Sequence, residues 1–271
     1  MNRILVPCNF SACCENAIRF AAEIAGRSGA EIILLTVVSE VEKTGLPDEK
    51  AAADASAEAT EKFGQMMKNF PDLKRVRHQI RRGKRLPTIL SCITREKINL
   101  VVMGTKGSRG WDQFFMGSNI EKVVRTSPVP VFAVKNPVSP HAIRNIVFPC
   151  NLKNNQLRLV SKIKDLQKLF NARLHILRVN LGKEDENAAI YDQLAAYALH
   201  HQLTNYTLHV RSHENEKDGI IQFSREINAD MIAMATHGNR DLNKMYVESI
   251  SADVVNHSSI LTWTCSTGSK A

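Results

Sequence analysis

Apolar residues along this chain fall into two kinds of pattern that alternate from end to end. Short β-branched runs, nearly continuous in apolar character where they are central, mark strands near 3–8, 31–38, 74–81, 99–104 and 129–135. Between them the apolar positions recur every three or four residues, as on a half-buried helix. Ala17, Ala21, Ile24 and Ala25 form one such stripe, with Ser11 placed to cap the helix that carries it. Regular strand–helix alternation predicts an α/β fold with a doubly wound parallel sheet and right-handed crossovers.

The pattern then repeats. Ile4-Leu5-Val6-Pro7-Cys8-Asn9-Phe10 matches Ile146-Val147-Phe148-Pro149-Cys150-Asn151-Leu152 at an offset of 142. Four positions are identical and the other three are apolar in both. Gly29–Val38 falls on Asn171–Asn180 at the same offset. Farther on, Asn99–Gly107 falls on Asp230–Gly238 at an offset of 131, so the second copy has lost eleven residues between its second and fourth strands. In the second copy Leu159, Val160, Ile163, Leu166 and Leu169 form the equivalent stripe. Asn136-Pro137-Val138-Ser139-Pro140 reads as a short, stiff linker between two domains, 1–137 and 141–271.

Composition narrows the classes of function. With 271 residues and ordinary apolar and charged fractions, the chain has enough material for two packed domains. No apolar run is long enough for a membrane span. The start, Met1-Asn2-Arg3-Ile4-Leu5-Val6-Pro7, reads as a first strand and not as a leader, so the expected location is the cytoplasm. The six cysteines, Cys8, Cys13, Cys14, Cys92, Cys150 and Cys265, form no CxxC pair and read as reduced, partly buried thiols. A net charge of +9 permits an anionic partner without choosing one.

The sharpest chemical feature follows the fourth strand. It reads Gly104-Thr105-Lys106-Gly107, then nine residues, then Gly117-Ser118 at the start of a helix carrying Ile120, Val123 and Val124 inward. Glycines let backbone N–H groups approach a phosphate with no Cβ in the way. A helix start offers free N–H groups and a dipole to the same anion. Lys106 and Arg109 add positive charge, and the carboxyl end of a central strand is where doubly wound sheets bind ligands. The loop is neither a Walker A motif nor GxGxxG.

This G-x2-G-x9-G-[ST] pattern resembles the nucleotide loop of universal stress proteins. Pro7-Cys8-Asn9-Phe10-Ser11 is similar to that family's Pro-Thr-Asp-Phe-Ser, and Ser127–Val134 resembles its last strand. The resemblance implies two five-stranded parallel sheets of order 3-2-1-4-5 in tandem. It further implies an adenine nucleotide, ATP or AMP with or without magnesium, across strands 1 and 4. Base and ribose contacts would map to Pro7, Asn9 and Val37. Phosphate contacts would map to Gly104, Gly107, Gly117, Ser118 and Asn119, with Met103 lining the pocket, and Thr105, Lys106 and Arg109 complete the expected nucleotide site. Asn9 stands in place of the family aspartate, keeping an acceptor but losing the charge. In the second copy Ala235-Thr236-His237-Gly238 and Glu248-Ser249 replace the loop, and a carboxylate there would repel a phosphate.

Three readings follow for a stress-response protein of this kind. It is a nucleotide-binding conformational or partner-binding module. Alternatively it is a slow ATPase or autophosphorylating enzyme, with Ser108 or Ser118 as phosphoacceptor. Alternatively it is a structural adaptor with no nucleotide. No GxSxG, HExxH or assembled triad is present, and no catalytic residue is assigned. No histidine pair has metal-ligand spacing, His175 reads as a hydrogen-bonded core residue, and His200 and His201 end a helix. The basic segment Lys74–Arg85 reads as a charged edge strand, not as a nucleic-acid surface. The family's last strand implies that the two domains pair with each other through 129–135 and 260–265, an arrangement compatible with a homodimer of the whole chain.

Overall fold

The computed structural model describes residues 1–38, 49–105, 118–152, 157–182, 184–236 and 250–267, with the backbone alone at 49, 51, 52, 118 and 119. The first sheet is built from β1 (Arg3–Pro7), β2 (Glu31–Val38), β3 (Val76–Arg82), β4 (Leu100–Gly104) and β5 (Val131–Val134). Its helices are α1 (Ala12–Ser28), α2 (Glu49–Met67), α3 (Arg85–Arg95) and α4 (Ser118–Thr126). The second sheet is built from β6 (Asn145–Pro149), β7 (Arg173–Asn180), β8 (Tyr206–Ser212), β9 (Met231–Thr236) and β10 (Leu261–Ser266). With it go α5 (Leu157–Phe170), α6 (Asn187–His200), α7 (Glu216–Glu226) and α8 (Ile250–His257). The two sheets lie in two separately compact units.

Each sheet is parallel and doubly wound. The first runs β3-β2-β1-β4-β5, the order implied by the resemblance, and the second repeats it as β8-β7-β6-β9-β10. The repeat is carried in the register. Ile4 pairs with Ile32 and Leu100, while Ile146 pairs with Leu174 and Met231. At the edge, Ile32 pairs with Val76 and Leu174 with Tyr206. The offset between copies is therefore 142 at the second strand, 130 at the third and 131 at the fourth, so the shortening falls wholly between β7 and β8.

Strands β1, β2, β4 and β5 are buried almost end to end, which accounts for their continuous apolar sequence. Ala17, Ile18, Phe20, Ala21, Ile24 and Ala25 of α1 are all buried, and Phe20 meets Phe132 of β5 edge to face at 5.0 Å. Burying each such Ile or Phe contributes about 1.5–3 kcal/mol. In α5 the stripe ends on Phe170, which is buried, while Leu169 is only half-buried. The larger aromatic one position on takes the core site. In the second unit Val147, Leu177, Ile220, Phe223, Ile232 and Val254 close one cluster.

Caps follow the residue types. The Ser11 hydroxyl accepts from the Cys14 N–H at the start of α1. Gly29 ends that helix at φ 69°, and its counterpart Asn171 sits at φ 50° after α5, both residue types that tolerate the left-handed region.

β3 is the outer strand of the first sheet, and its charges are partly consumed there. Arg77 bridges Glu31 at 3.1 Å and Glu96 at 2.9 Å, and Arg3 bridges the same two carboxylates at 3.1 and 3.8 Å. Gln79 donates to Glu96 at 3.0 Å. The network ties β1, β2, β3 and the end of α3 together, and it holds the Glu96 carboxyl below its ordinary range. No helix among the described residues is long and apolar enough to cross a membrane.

Candidate functional site

At the carboxyl ends of β1, β2 and β4 the chain leaves a cavity of about 420 Å³. This is the position at which the strand order reverses and doubly wound sheets carry their ligands. Pro7, Asn9, Val37, Met103, Gly104 and Thr105, singled out from sequence, all line it. Ser118 and Asn119 open α4, and Ile120 of the same first turn reaches the cavity wall. Lys106, Gly107, Arg109 and Gly117 lie outside the described residues, as do Ser108 and the second-copy residues His237, Gly238, Glu248 and Ser249.

The turn after β1 shapes one wall. Phe10 sits at φ 60°, sparsely populated for an aromatic residue, and Leu152 repeats this at φ 61° in the second unit. Phe10 is held by edge-to-face contact with Phe63 of α2 at 4.9 Å. Before it, the Asn9 side-chain oxygen accepts from both the Ser11 N–H (3.3 Å) and the Ser11 hydroxyl (2.8 Å). A backbone N–H can only donate, so the oxygen of Asn9 is fixed towards Ser11 and its amide nitrogen is left to donate elsewhere.

Gly104 has a different reason from the one its sequence context suggests. A Cβ there would lie 1.9 Å from the carbonyl oxygen of Cys13 and 2.8 Å from the backbone nitrogen of Cys14. Close packing of β4 against the first turn of α1 excludes any side chain, whatever the cavity holds. Thr105 is buried just beyond, its N–H donating to Val134 at 3.0 Å. On β2, the Thr36 hydroxyl donates to the Cys8 carbonyl at 3.0 Å and pins the β1 turn from the other side.

Several wall residues escaped the sequence reading. Arg85 and Ile89 come from α3, Cys8 from just past the end of β1, and Cys13 and Cys14 from the first turn of α1. The basic segment read as an edge strand overruns it: β3 ends at Arg82, and Arg85 opens α3 and lines the cavity. The described wall holds this one cation and no aspartate, glutamate or histidine. It therefore favours an anion, and among its described residues it supplies neither a carboxylate for a metal ion nor an imidazole or carboxylate base. No group of three or more metal-ligating side chains occurs among the described residues.

The second unit differs at the matching places. Ala235 replaces Gly104, and His175 on β7 sits in a polar chain instead of the apolar core. Its ring contacts the Asn145 side-chain oxygen at 3.1 Å and the Thr207 hydroxyl at 2.8 Å, and that hydroxyl also meets His209 at 2.8 Å. Burial first, then the neighbouring His175 and Arg211, push His209 down to about 4.

Comparison with known proteins agrees with this architecture. The model of the universal stress protein family matches the chain twice, over residues 1–135 and 142–264. A universal stress protein of Methanocaldococcus jannaschii is 27% identical over 142 residues, covering 50% of this chain and 82% of its own. In fold, the chain is similar to a universal stress protein from Archaeoglobus fulgidus, with a TM-score of 0.77, 22% identity and coverage of 98% of this chain and 99% of that one. A functionally unknown protein from Pseudomonas aeruginosa is similar at a TM-score of 0.68 and 16% identity, over 98% and 92% of the two chains. Matched twice by one family model and laid out as two copies of one sheet order, the chain belongs to the universal stress protein family.

Proposed function

We propose that the first domain, residues 1–137, binds an adenine nucleotide, ATP before AMP, and that the protein acts in the stress response as a nucleotide-dependent conformational or partner-binding module. One observation carries this reading. The cavity at the ends of β1 and β4 gathers Pro7, Asn9, Val37, Met103, Gly104 and Thr105 with Arg85, and no carboxylate is among its described lining residues.

Its size falls in the range of small-molecule sites, and its wall mixes apolar and polar groups as such sites do. Pro7, Val37 and Met103 offer an apolar seat for a base. The free amide nitrogen of Asn9 suits a ribose or ring acceptor. The phosphates are assigned to Gly104, Thr105 and the first turn of α4 at Ser118 and Asn119, and, from the loop sequence alone, to Lys106, Gly107, Arg109 and Gly117. The described wall contains no carboxylate for magnesium, so a magnesium ion would arrive on the phosphates with water as its remaining ligands. In the second domain, residues 141–271, the loop carries Ala235 and Glu248, and we assign it no tight nucleotide binding.

Calorimetric titration with ATP tests the reading, alongside mass spectrometry of small molecules released from the denatured protein. The expected result is about one site per chain, weakened about tenfold or more by Arg85→Glu, which reverses the one described wall charge. A folded protein with neither co-purified nucleotide nor ATP binding would sink it.

A further inference from the structure

Two thiols meet at the floor of this cavity. Cys8 follows β1, Cys14 lies in the first turn of α1, and their Sγ atoms stand 2.8 Å apart. That is inside the contact distance of two unbonded sulfurs, and a disulfide needs about 2.05 Å. Both cysteines are free and only 6% and 2% exposed. Yet both line the cavity, together with the half-buried Cys13, so a small solute entering it reaches them.

We propose that Cys8 and Cys14 form a modification site that closes to an intramolecular disulfide on reaction with a peroxide, reopens on reduction, and thereby regulates the cavity. The regulatory half rests on the nucleotide reading above; the dithiol site does not.

The surroundings divide the roles. Cys14 donates its thiol hydrogen to Cys8. That bond chiefly, helped by the Phe10 backbone N–H, lowers the Cys8 pKa against the opposing pull of burial and Glu15. The same bond and burial raise that of Cys14. Cys8 is thus the nucleophile. Its thiolate attacks one peroxide oxygen, the O–O bond breaks, and hydroxide leaves a sulfenic acid on Cys8. Cys14 then attacks that sulfur, the S–S bond forms, the S–O bond breaks, and the departing hydroxide takes up a proton. In sum, two thiols and one hydrogen peroxide give one disulfide and two waters, the sulfurs losing two electrons to the peroxide oxygens.

Closure cannot leave the cavity unchanged. The sulfurs must approach by roughly 0.7 Å, drawing the first turn of α1 towards β1. That turn already abuts Gly104 without room for a methyl group, so the wall shared by Cys13 and Gly104 moves with it. Asn9 and Ser11 lie inside the closed loop. Reciprocity then requires that a nucleotide which prefers the open form also disfavours the disulfide at equilibrium, by the same factor.

The test uses the full chain treated with hydrogen peroxide, alkylated with iodoacetamide and digested with trypsin. One peptide, Ile4–Arg19, carries Cys8, Cys13 and Cys14. Closure is expected to remove two hydrogens from it and leave one alkyl group in place of three. Cys13→Ser should keep the disulfide with no alkyl group, and Cys14→Ala should lose it. Three alkyl groups after peroxide, or a disulfide that vanishes in Cys13→Ser, overturns the site. The wild-type peptide and the Cys13→Ser variant decide this even where Cys14→Ala is poorly stable. For regulation, the oxidised protein should bind ATP about tenfold more weakly than the reduced, and saturating ATP should shift the thiol–disulfide equilibrium in a glutathione buffer about tenfold towards the dithiol. Equal affinities overturn the regulatory half. Disulfide formation with no ATP binding in either state overturns the nucleotide reading and leaves the dithiol site standing.

Discussion

The carbonyl oxygen of Cys13 lies 1.9 Å from the point where a Cβ of Gly104 would sit. Both partners are backbone, so neither can swing aside as the end of a flexible side chain would. The contact joins the carboxyl end of β4 to the first turn of α1, and these two elements frame the cavity.

Gly104→Ala is therefore expected to destabilise the first unit by about 1–3 kcal/mol, the usual cost of overpacking. It should also weaken ATP binding, because relief of the clash displaces the turn carrying Cys13 and Cys14. Chemical denaturation and calorimetry check the two effects separately. Unchanged stability would mean that α1 shifts freely.

Asn9→Asp separates fold from recognition. A carboxylate accepts from the Ser11 N–H and hydroxyl as the amide oxygen does, so the melting temperature should hold. The amide donor facing a ribose or ring acceptor is exchanged for a carboxylate oxygen that repels it, so ATP binding should weaken about threefold to tenfold. Tighter binding would instead place a ribose hydroxyl at the Asn9 position.

Glu96 joins Arg77, Arg3 and Gln79 at the sheet edge. Glu96→Gln should cost about 1 kcal/mol, since it loosens a network and not an isolated surface pair. The carboxyl is held below its ordinary pKa, so its contribution is present above the unfolded value and is lost as pH falls through the folded one. Acid unfolding of the variant should accordingly show a shallower dependence on pH below about 4.5.

His209 predicts a second acid sensitivity, in the other unit. Its folded value of about 4 lies below the ordinary 6.5, so the unfolded chain takes up a proton first as pH falls. The second unit should lose stability progressively from near pH 6.5 down to about 4. Melting temperatures across that range, compared with His209→Gln, test this; an equal slope in both proteins assigns the effect elsewhere.

The strands were legible because burial writes itself into composition: β1, β2, β4 and β5 are covered on both faces and read as apolar runs within a residue or two of their bounds. β3 is covered less well and carries Arg77, Arg81 and Arg82, yet its basic character still marked it as an edge. Six cavity residues were legible through their resemblance to a known loop pattern. What was not legible depends on turns. Cys8 and Cys14 are six positions apart and reveal nothing by spacing; the positive φ of Phe10 folds the chain back so that their sulfurs meet. Arg85 reaches the cavity only through the β3–α3 crossover. Gly104 was identified for its phosphate chemistry, while the demand on it that the structure displays is steric and comes from Cys13.

The two copies have diverged unevenly, and the sheet explains where. Every residue of the shortening was removed on the way to β8, the outermost strand, while the spacing from β6 to β7 matches that from β1 to β2 to the residue. An edge strand has one neighbour and can be approached by a longer or shorter path without altering anything inward of it. A repeated domain of this design can thus change its perimeter cheaply, whereas its middle keeps the same spacing in both copies.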